Sequence, residues 1–238
     1  MPQTRSSGLA AAAITLMAAL LLGSSGWARE ALAQSAKPAP FPVASVHFEQ
    51  NATDRDVEVV FQAVGESDGL ASLRVVSPGG RTVIDFTAPD PSTLGMRSFH
   101  IESPEPEDVD ALKAAYPEGA YEFAGRTSSG VALEGKSTLS HTLPPAAGFV
   151  APVPEAEDVP TEDVEISWGA VDGIAFYILE IEQEQLGTRV EATLPSSLTV
   201  FAVPDGFLMP GKEYHLGIGT VSSEGNVSVV ETSFTTKE

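Results

Sequence analysis

Between residues 57 and 63, Val57, Val59, Phe61 and Ala63 alternate with Glu58, Val60 and Gln62. A period of two predicts a half-buried strand. In 70–86 (LASLRVVSPGGRTVIDF), two β-branched runs flank Pro78-Gly79-Gly80. Proline fixes one φ there and glycine allows a positive one, so the stretch predicts a hairpin. SFHIES (98–103) predicts another strand, and YEFAGRTSSGVALEGKSTLSHTL (121–143) two more around a Gly-containing turn. The mature chain has one helical signal, over 107–116. Val109, Leu112 and Tyr116 share a face, acids crowd the first turn and Pro117 stops it.

The second half has a cleaner pattern. Val164, Ile166 and Trp168 line one face of VEISW. Tyr177, Leu179 and Ile181 oppose Glu180, Glu182 and Glu184 in the next strand. Residues 198–204, 214–221 and 227–236 complete the set. Short strands with turn signals every 8–12 residues predict a sandwich. In LMPGKEY (208–214), Pro210-Gly211 makes a sharp turn and Tyr214 follows it. A ring that packs inward while its hydroxyl bonds an upstream backbone group is a tyrosine corner. Tyr121 stands four residues after Pro117, as Tyr214 does after Pro210, and the offset of 93 residues is one sandwich domain.

Trp168, Tyr177, the L-x-P-G-x-x-Y string ending at Tyr214, G-N-x-S (225–228) and F-x-T (234–236) together resemble a fibronectin type III domain over about 150–237. The fold class expected is all-β: two tandem Ig-like/fibronectin type III-like β-sandwiches, the first with one short helix. The pieces NATDRD (51–56), SPGGR (77–81), ESPEP (102–106) and YPEGAYEFAG (116–125), with the C-terminal module, are similar to a family of uncharacterised exported bacterial proteins. That resemblance implies a periplasmic or secreted protein and supplies no activity of its own. It also implies glycine between the acids of the first piece, where this chain has Arg55.

The N-terminus changes the picture. Arg5 precedes an apolar run, Leu9 to Leu22, and Ala31 and Ala33 stand at A-x-A spacing. This predicts a signal peptide over 1–33, too short in its apolar part to span a bilayer. The expected organisation continues with a Pro-rich lead-in (34–44) and a diverged Ig-like sandwich (45–146). A Pro-rich linker and first strand (147–160) and a fibronectin type III-like sandwich (161–238) follow. The prolines of the linker suit a semi-rigid spacer.

Of the full chain's 238 residues, 13 are basic and 33 acidic, and none is cysteine. Removing 1–33 takes away Arg5, Arg29 and Glu30, leaving 11 basic and 32 acidic residues. A surface this acidic repels nucleic acid and anionic membranes. No thiol chemistry is available, and an exported chain must be stable without disulfides.

Local signatures of catalysis carry little weight. A G-x-S-x-G string (65–69) and a G-x-x-x-x-G-K-S string (130–137) occur, each among predicted strands with no helix following. No H-E-x-x-H string occurs, and His47, His100, His141 and His215 have no histidine at i+2 or i+4. The expectation is therefore no catalytic residue, no cofactor and no metal ligand. Two carboxylate groups carry the competing calcium reading: Asn51, Asp54 and Asp56 in one loop, and Glu102, Glu105, Glu107 and Asp108 in another. Calcium takes six to eight oxygens, but no D-x-[DN]-x-[DN]-G loop occurs, and solvated charge explains the same residues. The Glu180, Glu182, Glu184 stripe keeps a strand face wet or meets a basic partner. Gly217 and Gly219 read as flattening the outward face of their strand. Two N-x-[ST] strings, at Asn51 and Asn226, read as coincidence.

The functional expectation is an exported, non-catalytic binding or scaffolding protein of the cell envelope, acting through sandwich-end loops such as 169–174 and 221–227. Its partner would be a protein or a carbohydrate, with no nucleic acid and no membrane span once the signal is removed. The alternatives are a calcium-binding structural module or an accessory domain of a hydrolase system.

Overall fold

Alternation of apolar and polar residues sets the strands, and the faces it buries define two cores. The computed structural model describes residues 37–65, 67–90, 95–104, 106 and 108–238, of which Ala39–Glu238 form one unit. The expected signal peptide and residues 34–36 lie outside the described residues.

In the first half the strands are β1 (Ala39–Pro40), β2 (Val43–Asn51), β3 (Asp56–Val64), β4 (Leu70–Val76), β5 (Thr82–Thr87), β6 (Ser98–Glu102), β7 (Gly119–Thr127) and β8 (Ala132–Leu139). One layer runs β1-β8-β7-β4-β5 and the facing layer β2-β3-β6. Val46, Phe48, Val59, Phe61, Leu73 and Phe123 meet between them. Helix α1 (Val109–Ala115) lies in the connection from β6 to β7, capped by Asp108, whose Oδ1 accepts from the Asp110 N–H at 2.9 Å. Leu112 points into the core.

The second half consists of β9 (Phe149–Ala151), β10 (Ala156–Val159), β11 (Glu165–Trp168), β12 (Phe176–Gln183), β13 (Thr188–Pro195), β14 (Val200–Ala202), β15 (Glu213–Val221) and β16 (Val227–Thr236). A three-stranded layer, β14-β11-β9, faces β13-β12-β15-β16, and β10 pairs in parallel with β16. Trp168 packs edge-on against Tyr177 in this core, with ring centroids 5.4 Å apart. The two halves share one wiring: β2-β3-β6 corresponds to β9-β11-β14, and β5-β4-β7-β8 to β13-β12-β15-β16. Each last strand, β8 or β16, also carries a short parallel partner, β1 or β10. The chain is thus all-β, two tandem fibronectin type III-like sandwiches, the first with one short helix.

Both corner tyrosines are fully buried. The Tyr214 hydroxyl donates to the Phe207 carbonyl at 3.2 Å and accepts from the Met209 N–H at 2.8 Å. The Tyr121 hydroxyl donates to the Pro117 carbonyl at 3.1 Å.

Several elements differ from the sequence reading. The segment read as a lead-in (34–44) contributes β1, the start of β2 and the buried ring of Phe41, which packs edge-on near Phe123. Prolines at 40 and 42 suggested a linker, but Pro40 lies at the edge of its sheet, where a missing N–H removes no ladder bond. Strand β13 escaped notice because its inward residues, Val190, Ala192 and Leu194, are only half-buried. The 147–160 segment, read as a linker and first strand, supplies two strands, β9 and β10. Just ahead of it, the Pro145 carbonyl accepts from Thr220 and that of Pro144 from Ser228, both at 2.8 Å. Proline brings an acceptor but no donor, so such a segment can lie against hydroxyl side chains without stranding an N–H.

Candidate functional site

The two sandwiches meet by a direct strand pairing. Strand β2 of the first runs parallel to β16 of the second, with Val227 opposite Glu49, Ser228 opposite Gln50 and Val229 opposite Asn51. One sheet path, β13-β12-β15-β16-β2-β3-β6, therefore passes through both. Side chains fasten the joint. Asn226, fully buried, accepts from the Phe48 N–H and donates to the carbonyls of Ser140 and Thr142, each at 2.9 Å. On the other strand, Asn51 Nδ2 donates to Glu231 at 2.7 Å. Thr53 Oγ1 accepts from the Glu231 N–H at 2.9 Å and donates to its carbonyl at 3.3 Å.

Both N-x-[ST] strings are thus joint residues, and their asparagines are hydrogen-bonded across the interface. The loop carrying Asn51, Asp54 and Asp56 is a tight turn closed by Asn51, whose Oδ1 accepts from the Thr53 N–H at 3.0 Å. Arg55 sits at φ +69°, a conformation suited to the glycine that the family resemblance implied. Of the other carboxylate group, two members are described. Glu102 pairs with His100 at 2.6 Å and Asp108 caps α1, while Glu105 and Glu107 lie outside the described residues. Among the described residues, no three His, Cys, Asp or Glu side chains are grouped to hold a metal ion.

The outward face of the shared sheet carries a trough of about 740 Å³. Its floor is β15. Gly217 lies between Glu180 of β12 and Glu231 of β16, and Gly219 between Ile178 and Val229. One rung further, His215 lies opposite Glu182 on one side and Ser233 on the other. The first sandwich supplies Ser45, His47, Glu49 and Gln62 to the far wall. His47, nearly buried, has Nε2 3.8 Å from Glu49. Arg189 of β13 binds Glu180 at 2.6 Å and Glu191 at 3.1 Å. Burial nevertheless pushes the Glu180 carboxyl above its usual range; Arg189 opposes the shift, and Glu182 and Glu191 reinforce it.

Folding brings two of the four histidines to the trough. His47 and His215 line the trough, and His100 bonds Gln62 and Glu102. His141 stacks on Phe48 at 4.8 Å and contacts the Tyr116 carbonyl at 2.8 Å. The loops expected to bind are each anchored by a few inward residues, while Gly169, Ala170, Asp172, Gly173, Ser223 and Glu224 are exposed. Val171 N–H donates to the Tyr177 hydroxyl at 2.8 Å, and Val171 and Ile174 pack on the core. In 221–227, Val221, Asn226 and Val227 are buried at the joint, while Ser222 and Glu224 rim the trough. Sequence reading missed the trough because its walls come from strands far apart in the chain. A signal was available for the joint but not for the trough: the buried polar trio Thr220, Asn226 and Ser228 flanks the turn from β15 to β16.

No protein-family profile matches the chain, and no curated protein matches it. Solved structures do. The fibronectin(III)-like modules of CbhA from Clostridium thermocellum share 14% identity and cover 82% of this chain and 91% of their own, at a TM-score of 0.35. A two-domain fibronectin type III segment of chicken tenascin shares 15% identity and covers 82% of this chain and 98% of its own, at a TM-score of 0.32. The fold assignment rests on the shared strand order and the two tyrosine corners. No described helix is long and apolar enough to cross a membrane.

Proposed function

We propose that this is an exported, non-catalytic binding or scaffolding protein of the cell envelope or the space outside it. Its partner is a protein or a carbohydrate. The contact surface is the sheet face shared by the two sandwiches, in place of the sandwich-end loops that the sequence suggested. One observation carries this reading: the β2–β16 pairing merges two sandwiches into a single sheet path whose outer face holds the trough. A rigid, concave surface that needs no rearrangement loses little entropy on binding. The charge balance supports the exclusion of nucleic acid and anionic lipid as partners.

The test is a photo-crosslinking amino acid placed at Gly217 in the trough and, separately, at Asp172 in the 169–174 loop, in cells that make the protein. Crosslinked product from position 217 is expected. Product from position 172 alone would overturn the choice of surface. The export reading predicts that protein in the envelope or medium fraction begins at Gln34 by mass spectrometry.

A further inference from the structure

We propose that the trough holds an extended, cationic segment of a partner protein, laid along β15 with basic side chains beside Glu180 and Glu182 and an apolar side chain at the Gly219 rung. This rests on the surface assigned above and names its ligand chemistry.

The fold does not demand the floor glycines. Neither Gly217 nor Gly219 adopts a left-handed φ. A Cβ at 217 would meet nothing closer than 3.8 Å, and one at 219 nothing closer than 3.5 Å, both ordinary contacts. Glycine weakens a strand interior and often marks a close approach by a ligand or another backbone. Here the two glycines keep open a floor that side chains would fill.

The walls specify what fills it. Glu49, Glu180, Glu182, Glu184, Glu224 and Glu231 line the trough, and among the described residues no lysine or arginine does. The nearby Arg189 is already engaged by Glu180 and Glu191. A cationic partner is the complement.

Spacing favours a polypeptide over a small polycation. Successive same-face rungs on β15 are two residues apart, roughly 7 Å, which is the same-face repeat of any extended peptide. They run from Gly219 between Ile178 and Val229, through Gly217 between Glu180 and Glu231, to His215 beside Glu182. The order is apolar, acidic, acidic. An extended segment with one apolar and two basic side chains on the same face matches it rung for rung, whereas a polyamine leaves the apolar rung unused.

The probe is a fluorescein-labelled nonapeptide, Lys-Ser-Lys-Ser-Ile-Ser-Lys-Ser-Lys, symmetric so that either chain direction can dock, titrated with the full chain by fluorescence anisotropy. Saturable binding is expected. It should weaken at least about tenfold in Gly217→Leu and in the Glu180→Gln/Glu182→Gln double variant, and again as salt rises from about 50 mM to about 500 mM. Gly217→Leu should retain the parent's denaturation midpoint or raise it, which separates a blocked trough from a damaged fold. Replacing Ile by Ser in the peptide should weaken binding, and spermine should compete poorly. The proposal is overturned if the peptide does not bind, if Gly217→Leu binds it unchanged, if a Glu-for-Lys peptide binds equally, or if the Ser peptide and spermine match the original. Crosslinking at position 217 with no peptide binding would sink the cationic assignment and leave the surface standing. Crosslinking only at position 172 would remove the surface itself.

Discussion

Replacing Asn226 with alanine tests the joint between the sandwiches. The wild-type side chain makes three hydrogen bonds of 2.9 Å, one accepted and two donated, from a fully buried position. Phe48 is also fully buried, and its N–H points toward Asn226 and away from the β3 ladder. Stranding that donor costs about 1–3 kcal/mol. The Ser140 and Thr142 carbonyls lie in less buried residues, where water can replace the amide, so they add about 0.5–1 kcal/mol together. The expected destabilisation is about 1.5–4 kcal/mol. With a urea dependence of about 2–3 kcal/mol per molar for a chain of this size, the unfolding midpoint should fall by about 1 M. Intrinsic fluorescence against urea measures it, with Trp168 in the second core as reporter. Asn226→Asp sharpens the test. It can still accept from Phe48, but its second oxygen meets two carbonyls, so near neutral pH it should be no better than alanine. Lowering the pH should recover part of the loss, since a protonated carboxyl donates again. An alanine variant with the parent's midpoint would refute the reasoning, because the amide would then bridge nothing of energetic consequence.

Other outcomes follow from single residues. Tyr214→Phe should cost about 1–3 kcal/mol, because the hydroxyl serves both Phe207 and Met209, and Tyr121→Phe about 1 kcal/mol, because it serves Pro117 alone; denaturant midpoints rank the two. Burial pushes the Tyr121 phenol up to about 12, opposed by Arg81 and aided by Tyr116. Its protonated form therefore stabilises the fold fully below about pH 10, and that contribution drains away between pH 10 and about 12 as the unfolded chain loses its proton first. A shallower alkaline decline in Tyr121→Phe than in the parent would show it. Arg55→Gly should stabilise by about 0.5–1 kcal/mol, since a left-handed conformation strains arginine more than glycine's extra chain entropy costs; a lowered midpoint would contradict this.

What the sequence disclosed was what a local pattern can encode. Alternation in 57–63 and 175–185 located β3 and β12, and the Pro-to-Tyr spacing located both corners and the repeat. Strand β2 passed unnoticed because its inward pair, Val46 and Phe48, follows two prolines that read as linker. The joint was illegible for a different reason. Phe48 and Asn226 are 178 residues apart, as are Thr53 and Glu231, and hydrogen bonds over such separations leave no periodicity. Arg55 shows the converse. The expectation of glycine there came from resemblance, and the backbone explains it. The glutamates of β12 were visible as a stripe and Gly217 and Gly219 as a pair, but only the parallel pairing with β2 puts them in one trough with His47 and Glu49.

The strands that join the sandwiches come from opposite ends of the described chain, and they run the same way. Tension applied ahead of Val43 and beyond Thr236 draws them in opposite senses along a common axis. The rungs between them are then loaded together in shear and are not peeled one at a time. Stretched between two anchors, the protein would carry load across this joint in shear, and its two modules would bear force as a single link.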